Sequence, residues 1–254
     1  MTTTLLPAPP APTLPTLTRV ELRKSRDTRA GFWLLLTLGV AALAVPLLTM
    51  FFADPRAKTF TEYLTLAQFP VSLLLPVLGI LLVTSEWSQR TAMTTFALVP
   101  QRARVVVAKL LAAALLALLG VVATLVAAGL VTALTPVLTD DATSWEVTAQ
   151  HVLQVVALEV LYVLVGVAFG LLLRTSPLAI VLYFVVPTIV TVLVTTIPAL
   201  DWVREWLDLT TTTEPMYSGD LDGAGWARAG TATVLWFVAP LIGGWVRLQR
   251  SEIA

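Results

Sequence analysis

The sequence predicts an all-α, polytopic integral membrane protein with six transmembrane helices. Of its 254 residues, 57% are hydrophobic and only 13% are charged, whereas about 25% are charged in a typical soluble domain. Six apolar runs each have about the length that an α-helix needs to cross a bilayer, roughly 20 residues. The runs are apolar on every face, which distinguishes them from the alternating strands of a membrane barrel.

The charges between the apolar runs predict the orientation of the chain. The runs lie near 31–53, 67–84, 110–134, 152–173, 178–199 and 229–246. If both ends of the chain are cytoplasmic, twelve of the sixteen Lys and Arg residues fall in cytoplasmic segments. Because cytoplasmic loops carry the excess of Lys and Arg, the sequence predicts an N-in, C-in topology.

The segment ahead of the first span divides into two parts. Residues 1–16 are rich in Pro and Thr and predict a disordered cytoplasmic tail, which leaves 17–254 as a single six-helix domain. Thr18 and Glu21 have the spacing of a capping box. They predict the start of a basic, amphipathic helix that lies on the membrane surface. A basic flank that only sets orientation would explain the same charges.

The longest external loop is predicted at 200–228. Asp201 is a candidate N-cap, and Trp202 and Trp206 follow at helical spacing, as in a short interfacial helix. The segment 210–225 contains Pro and Gly and predicts a break in regular structure.

The segment 85–109, between the second and third spans, is the longest connection on the predicted cytoplasmic side. Its pattern predicts that the helix of the second span continues beyond the bilayer and ends in a turn. A short helix within 91–99 then lies across the membrane surface before the chain re-enters the bilayer. A helix that lies across the membrane surface between two spans can pass a partner's motion to the membrane part. The residues that mark this pattern are Glu86, Thr91, Pro100, Arg102, Arg104 and Lys109.

The order of these residues resembles the first cytoplasmic loop of type 2 ABC exporter permeases. That loop often has Glu, then Thr five positions later, a stretch of Thr and Leu, Pro, one or two Arg, and Lys opening the next helix. The family commonly has Gly before the Thr, where this chain has Arg90. The resemblance implies that the surface coupled to an ATPase includes Glu86, Arg90, Thr91, Pro100, Arg102 and Arg104.

The resemblance also implies what the chain does and with what it assembles. It implies a non-catalytic permease subunit of an ABC transporter in the bacterial inner (cytoplasmic) membrane, exporting a substrate by alternating access. ATP and Mg²⁺ would bind to a separate ATPase subunit, since this chain lacks the G-x-x-x-x-G-K-[ST] phosphate loop. A second permease chain, identical or homologous, would complete the pathway, with substrate contacts from the second and fifth spans. No cofactor, metal or nucleic acid is expected on this chain.

Glu159 is the one acidic residue within a predicted span. A charge at mid-bilayer costs about 2.5–3.5 kcal/mol or more, so its side chain should face protein or water. It predicts either a site on a transport pathway or an interhelical hydrogen bond helped by Gln154 and Tyr162. A secondary transporter that uses Glu159 as its proton or ion site is therefore the alternative function. A membrane-embedded enzyme is disfavoured, because no set of acid, base and nucleophile converges.

Three further features bear on helix geometry. His151, at the outer start of the same span, is expected to lie at the membrane interface rather than to bind a metal. Gly166 and Gly170 have the spacing of a close helix contact. Proline residues inside four spans are expected to kink helices; they are Pro46, Pro76, Pro187 and Pro240.

Overall fold

The computed structural model describes residues 12–89 and 91–250, and within them it is helical with no β-strand. Residues 1–11 of the predicted tail lie outside the described residues. The helices are α1 (Leu14–Asp27), α2 (Arg29–Phe52), α3 (Phe60–Ser88), α4 (Ala92–Leu98), α5 (Arg102–Leu138), α6 (Ala149–Leu173), α7 (Ser176–Thr196), α8 (Asp201–Trp206), α9 (Leu209–Thr213) and α10 (Gly223–Arg250). Six of them, α2, α3, α5, α6, α7 and α10, are long and apolar enough to cross a membrane, which confirms the six predicted runs as helices.

Two of the long helices extend beyond the apolar runs that predicted them. α3 has 29 residues and α5 has 37, which correspond to about 44 Å and about 56 Å of helix. Both lengths exceed the hydrocarbon core of a bilayer, roughly 30 Å. Their ends at Ser88 and Arg102 flank α4, so this short helix is held between two long helices. We call the end of the bundle that contains α4 the α4 end, and the opposite end, which contains α8, the α8 end.

α3 and α6 form the centre of the bundle. In their most apolar windows 67% and 61% of the residues are buried, against 22% in α2 and 17% in α7. A Cβ atom added at Gly166 would lie 2.4 Å from the carbonyl oxygen of Pro76, and one at Gly170 would lie 3.0 Å from that of Ile80. The predicted close contact at these two glycines is therefore confirmed, and it joins α6 to α3 of the same chain.

α1 and α2 meet in a sharp bend at Thr28. The Thr28 hydroxyl caps α2 by accepting a hydrogen bond from the backbone N–H of Gly31 at 3.1 Å. A Cβ atom at Gly31 would lie only 1.8 Å from the carbonyl oxygen of Ser25, so the bend requires glycine. The bend turns α1 back against the bundle, where it contacts α5, α2 and α3.

The predicted capping box at Thr18 and Glu21 is wrong. α1 begins at Leu14, inside the segment 1–16 that was predicted to be disordered. Pro15 accounts for the earlier start, since proline is favoured in the first turn of a helix. Thr18 therefore lies in the second turn, where its hydroxyl donates to the carbonyl oxygen of Leu14 at 3.0 Å. Glu21 has a different role, described below.

α10 contains a π-helical turn at Val234–Val238. Pro240, two residues after this turn, supplies its physical cause, because a proline ring lacks the N–H and crowds the carbonyl four residues earlier. The backbone N–H of Ala239 accordingly bonds to the carbonyl of Val234, five residues back. The other three prolines predicted to lie inside spans are also within helices, namely Pro46, Pro76 and Pro187.

The connection between α7 and α10 is more ordered than its sequence predicts. Asp201 is the first residue of α8 and not its N-cap; Asp208 caps the next helix by accepting from the N–H of Thr211 at 2.9 Å. The expected break over 210–225 is wrong in part, because α9 and a 3₁₀ turn occupy its first half. Threonine hydroxyls bond the carbonyls of the preceding turn, and Met216 is buried, which stabilises this Thr-rich segment as a helix.

Candidate functional site

The connection between α3 and α5 carries most of the residues that the sequence singled out. Glu86 lies in the last turn of α3, and Thr91 directly precedes α4. Pro100 is exposed in the link to α5. Arg102 and Arg104 form the first turn of α5, and Arg90 lies outside the described residues. α4 falls within the stretch 91–99 where a short helix was expected.

Four charged side chains form a buried ionic cluster at the α4 end: Glu21, Lys24, Glu86 and Lys109. The Lys109 ammonium lies 2.7 Å from Glu21 Oε2 and 3.2 Å from Glu86 Oε1. The Lys24 ammonium lies 2.8 Å from Glu21 Oε1 and 2.7 Å from Glu86 Oε1. Each carboxylate therefore contacts both ammonium groups, and the cluster links α1, α3 and α5.

The cluster balances its charges, and three of its four members are buried. Glu21, Glu86 and Lys109 are 4–5% exposed, and Lys109 also donates to the carbonyl oxygen of Leu82 at 2.8 Å. Burial lowers the pKa of the half-exposed Lys24, but the carboxylates of Glu21 and Glu86 outweigh burial and raise that pKa above its ordinary value. Two positive and two negative charges at hydrogen-bonding distance are the condition under which burying ions is tolerated.

Glu86 also anchors α4. Its backbone carbonyl accepts from the N–H of Thr91 at 2.9 Å, and its Oε1 accepts from the Thr95 hydroxyl at 3.3 Å. The carboxylate thus faces the interior of the protein, and the surface of α4 is made by other side chains. Met93 is 51% exposed and Leu98 is 73% exposed, so the outward face of α4 is apolar.

Glu21 and Lys24 are the members of the ionic cluster whose contacts the sequence alone did not predict. The sequence did contain one indication of this cluster, namely the residues on the face of α1 that includes Glu21. Thr18, Glu21 and Ser25 follow one another at spacings of three and four, and all three are buried. When a basic helix has one face of small or polar residues with a single acidic residue at its centre, that face indicates a contact between the acidic residue and a buried cation on a neighbouring element. The identity of that cation as Lys109 depends on how α1 folds back.

Three arginine residues lie at the same end of the bundle as α4. The Arg174 guanidinium stacks 4.4 Å above the Trp87 ring, and that of Arg102 lies 5.7 Å from the Phe96 ring. Arg247 donates to the carbonyl oxygen of Leu172 at 2.6 Å. Burial, and then the neighbouring charges of Arg247 and Arg102, lower the pKa of Arg174. We call Arg102, Arg174 and Arg247 the arginine rim; Arg102 contacts α4 through Phe96, and the other two contact α3 and α6 at the same end of the bundle.

Glu159 lies at the centre of the bundle, on α6. Its side chain is fully buried, and neither carboxylate oxygen has a hydrogen-bond partner among the described residues. Gln68 of α3 faces it and is equally buried, without a hydrogen bond to either amide atom. The two expected helpers bond elsewhere: Gln154 bonds to the backbone of Leu221, and Tyr162 bonds to the hydroxyl of Thr213 at 2.8 Å.

The α7–α10 connection covers this buried pair from the α8 end. The Tyr217 hydroxyl donates to Ser72 Oγ on α3 at 3.1 Å. The carbonyl oxygen of Tyr217 lies 2.9 Å from His151 Nε2. His151 is thus buried in a hydrogen bond to this connection, and the described residues contain no group of three side chains that could hold a metal.

A small aromatic cavity opens beside the covered pair, between α3, α6 and α7. Its volume is about 170 Å³. Hydroxyl groups from three elements line it, on Ser72, Tyr162 and Tyr217, together with the rings of Phe69 and Tyr183. α3 and α7 are the second and fifth of the long helices, which are the two that the family resemblance associates with substrate contacts.

Comparison with known proteins adds no family assignment. No protein-family model matches the chain, and no curated protein sequence matches it significantly.

Proposed function

We propose that this chain is the membrane-spanning subunit of an ATP-driven exporter, of the type 2 ABC permease kind. The observation that carries the proposal is the arrangement of helices and side chains at the α4 end. A short helix stands between two long ones, presents Met93 and Leu98 outward, and is anchored through Glu86 to a buried ionic cluster. An exposed apolar face with a charged rim is typical of a site for a protein partner.

The orientation proposed for the chain places this end in the cytoplasm. With six membrane crossings, eleven of the fifteen Lys and Arg residues in the described part of the chain lie at the α4 end. Because basic residues remain on the cytoplasmic side, α4 would face the compartment in which ATP is available. α1 would then lie along the cytoplasmic surface of the membrane, and α8 with its exposed Trp202 would lie at the opposite interface.

In this proposal Glu86 is a positioning residue and does not touch the partner. An ATPase subunit would bind the face of α4 and the arginine rim. Its motion would reach Glu86 through the bonds from Thr91 and Thr95, and would pass from there to α1 and α5 through Lys24 and Lys109. ATP and Mg²⁺ would be bound by that subunit, which supplies the energy of transport.

The substrate pathway would involve the aromatic cavity and a second permease chain. The cavity is small, at about 170 Å³, whereas drug-sized ligands occupy pockets of about 300–1,000 Å³. It would therefore form part of a larger site completed by a homologous or identical chain. The exposed apolar surfaces of α2 and α7 are available for lipid or for that chain.

Site-specific photo-crosslinking in the native host tests the proposal. A photoreactive phenylalanine analogue replaces Leu98 on α4, and a matched variant carries it at Val147, an exposed apolar residue at the α8 end. We expect an adduct with an ATPase that contains a phosphate-loop motif from position 98 and none from position 147. Paired substitutions Met93→Glu and Leu98→Glu should abolish co-purification of that ATPase. Correctly inserted protein that yields no ATPase adduct at position 98 would contradict the proposal.

A second candidate function rests on Glu159. A secondary transporter that uses this carboxylate as a proton or ion site is favoured by one observation, the absence of any hydrogen-bond partner for it among the described residues. Against it, transporters of that class place several polar groups at broken helices near the midplane, whereas α6 is continuous over its 25 residues.

A further inference from the structure

A groove separates α1 from the bundle on the side away from α4. Its volume is about 660 Å³, and α1, α2, α3 and α5 all contribute to its walls. The floor is apolar, formed by the buried side chains of Leu38, Leu75 and Leu116. Gly39 leaves an opening in the wall, since no heavy atom lies within 4 Å of a Cβ atom added there.

Three arginines of α1 line the rim of this groove. Arg19, Arg23 and Arg26 are spaced by four and three residues, which places them on one face of the helix. The side chains of Arg23 and Arg26 are 76% and 72% exposed. Asp27 lies 3.1 Å from Arg23 and 3.6 Å from Arg26, and no acidic residue lines the groove itself. The rim therefore carries an excess of positive charge directly beside an apolar floor.

We propose that this groove binds one anionic phospholipid. The lipid phosphate would be bound by Arg19, Arg23 and Arg26, whose guanidinium groups are well suited to bind phosphate oxygens. One acyl chain would lie on the apolar floor, along the surface of α5 between Leu116 and Ala123, a rise of about 10 Å. A free phosphate ion would use only the rim, so the apolar floor favours a lipid.

The position of α1 suits this ligand. Only Thr28 separates the end of α1 from the start of α2. α1 therefore lies at the level where the long helices leave the apolar layer and where headgroups are found. The inference rests on the six long helices crossing a membrane and not on the proposed ATPase partner. A bound lipid would hold α1 from one side while the ionic cluster holds it from the other.

Native mass spectrometry of the full chain in detergent tests the site. The probe lipid is dioleoyl phosphatidylglycerol, and dioleoyl phosphatidylcholine, which has the same acyl chains and no net charge, is its comparison. We expect one phosphatidylglycerol per chain, bound at least about tenfold more tightly than phosphatidylcholine, because the three arginines attract an anionic headgroup. Equal binding of the two lipids would overturn the proposal.

Two sets of variants locate the lipid. Arg19→Gln, Arg23→Gln and Arg26→Gln combined should remove the preference for phosphatidylglycerol. A matched triple variant at the other end of the bundle, Arg56→Gln, Arg204→Gln and Arg228→Gln, loses the same charge and should keep the preference. Retention of the preference in the first set, or its loss in both sets, would place the lipid elsewhere.

Gly39→Leu tests the acyl-chain part independently of charge. A Cβ atom at Gly39, which lines the groove, meets no heavy atom within 4 Å, so the protein should fold and bind phosphatidylglycerol several-fold more weakly. Inorganic phosphate at millimolar concentration should not displace the lipid. Full binding by Gly39→Leu together with displacement by phosphate would show a surface anion site and contradict a lipid in the groove.

Discussion

Glu86 and Glu159 are both buried in the same bundle, yet their surroundings are opposite. Glu86 is 5% exposed and contacts two ammonium groups and a hydroxyl. Glu159 is 0% exposed and has no hydrogen-bond partner among the described residues. The Glu86 carboxylate of α3 therefore contacts side chains of α1, α4 and α5 at the α4 end, whereas the Glu159 carboxylate of α6 faces the neutral side chain of Gln68 on α3.

The difference indicates which of the two residues the fold depends on. Removing one member of a buried ion pair leaves an uncompensated charge, so the bundle requires Glu86 for its stability at the α4 end. A buried carboxylate without a partner costs free energy and stabilises nothing. Glu159 is therefore available for a function, or for a contact with a second chain or an ion.

The largest expected effect is the loss of stability in Glu86→Gln. The variant leaves Lys24 and Lys109 with one carboxylate between them, and it should lower the free energy of unfolding by about 3 kcal/mol. This value is the low end for breaking a buried pair, because Lys109 keeps its contact with Glu21. Unfolding in mixed micelles titrated with SDS measures the change.

A matched control separates the buried pair from a general effect of losing a carboxylate on α3. Glu62→Gln makes the same substitution in the exposed first turn of α3 and should cost less than about 1 kcal/mol, the value of an acidic residue near a helix N-terminus. Equal losses in the two variants would mean that the ionic cluster does not stabilise the α4 end.

The contrast between the two glutamates also shows what the sequence could predict. Hydropathy located all six long helices, because a run of about 20 apolar residues leaves the backbone no alternative in a membrane. It also identified Glu159, since an acidic residue in such a run is conspicuous. It could not identify the Glu21–Lys109 contact, which joins residues 88 positions apart and depends on the bend at Thr28.

Two of the short-range errors have a common physical cause. Thr18 and Glu21 match a capping box, but Pro15 moves the start of α1 forward, so one local preference overrides another. The Thr-rich segment after Asp208 was expected to be irregular, but side-chain bonds and the burial of Met216 stabilise a helical turn. In both cases a tertiary contact or a competing local preference decided the local structure. The sequence pattern alone was compatible with more than one local structure.

The second prediction, of an effect of intermediate size, tests whether α3 and α6, which carry the two glutamates, pack rigidly against each other. Gly166→Ala places a methyl group 2.4 Å from the Pro76 carbonyl oxygen, between the helices that carry Glu86 and Glu159. We expect a loss of about 1–3 kcal/mol, typical of overpacking, in the same SDS titration. Gly230→Ala is the control, because a Cβ atom there meets nothing within 4 Å and alanine is the better helix former. If Gly166→Ala is as stable as wild type, α3 and α6 can shift relative to one another.

The smallest expected effect is that of Glu159→Gln, and it is the sharpest test of the comparison. The substitution is the same as at Glu86, but no ion pair is lost among the described residues. The change in the free energy of unfolding should stay within about 1 kcal/mol, the net value of one neutral hydrogen bond.

Glu159→Leu extends this test by removing the polar group altogether. An apolar side chain of similar volume facing Gln68 avoids the cost of burying a carboxylate, so the isolated chain in detergent should be at least as stable as wild type. A loss of about 2 kcal/mol or more in either variant would mean that Glu159 has a partner in the purified protein that the single chain does not contain. Repeating the titration with Na⁺ replaced by choline would then separate a bound Na⁺ ion from a second chain. A bound ion would make the stability of wild type, and not that of the variants, depend on Na⁺, and that result would favour a secondary transporter coupled to Na⁺.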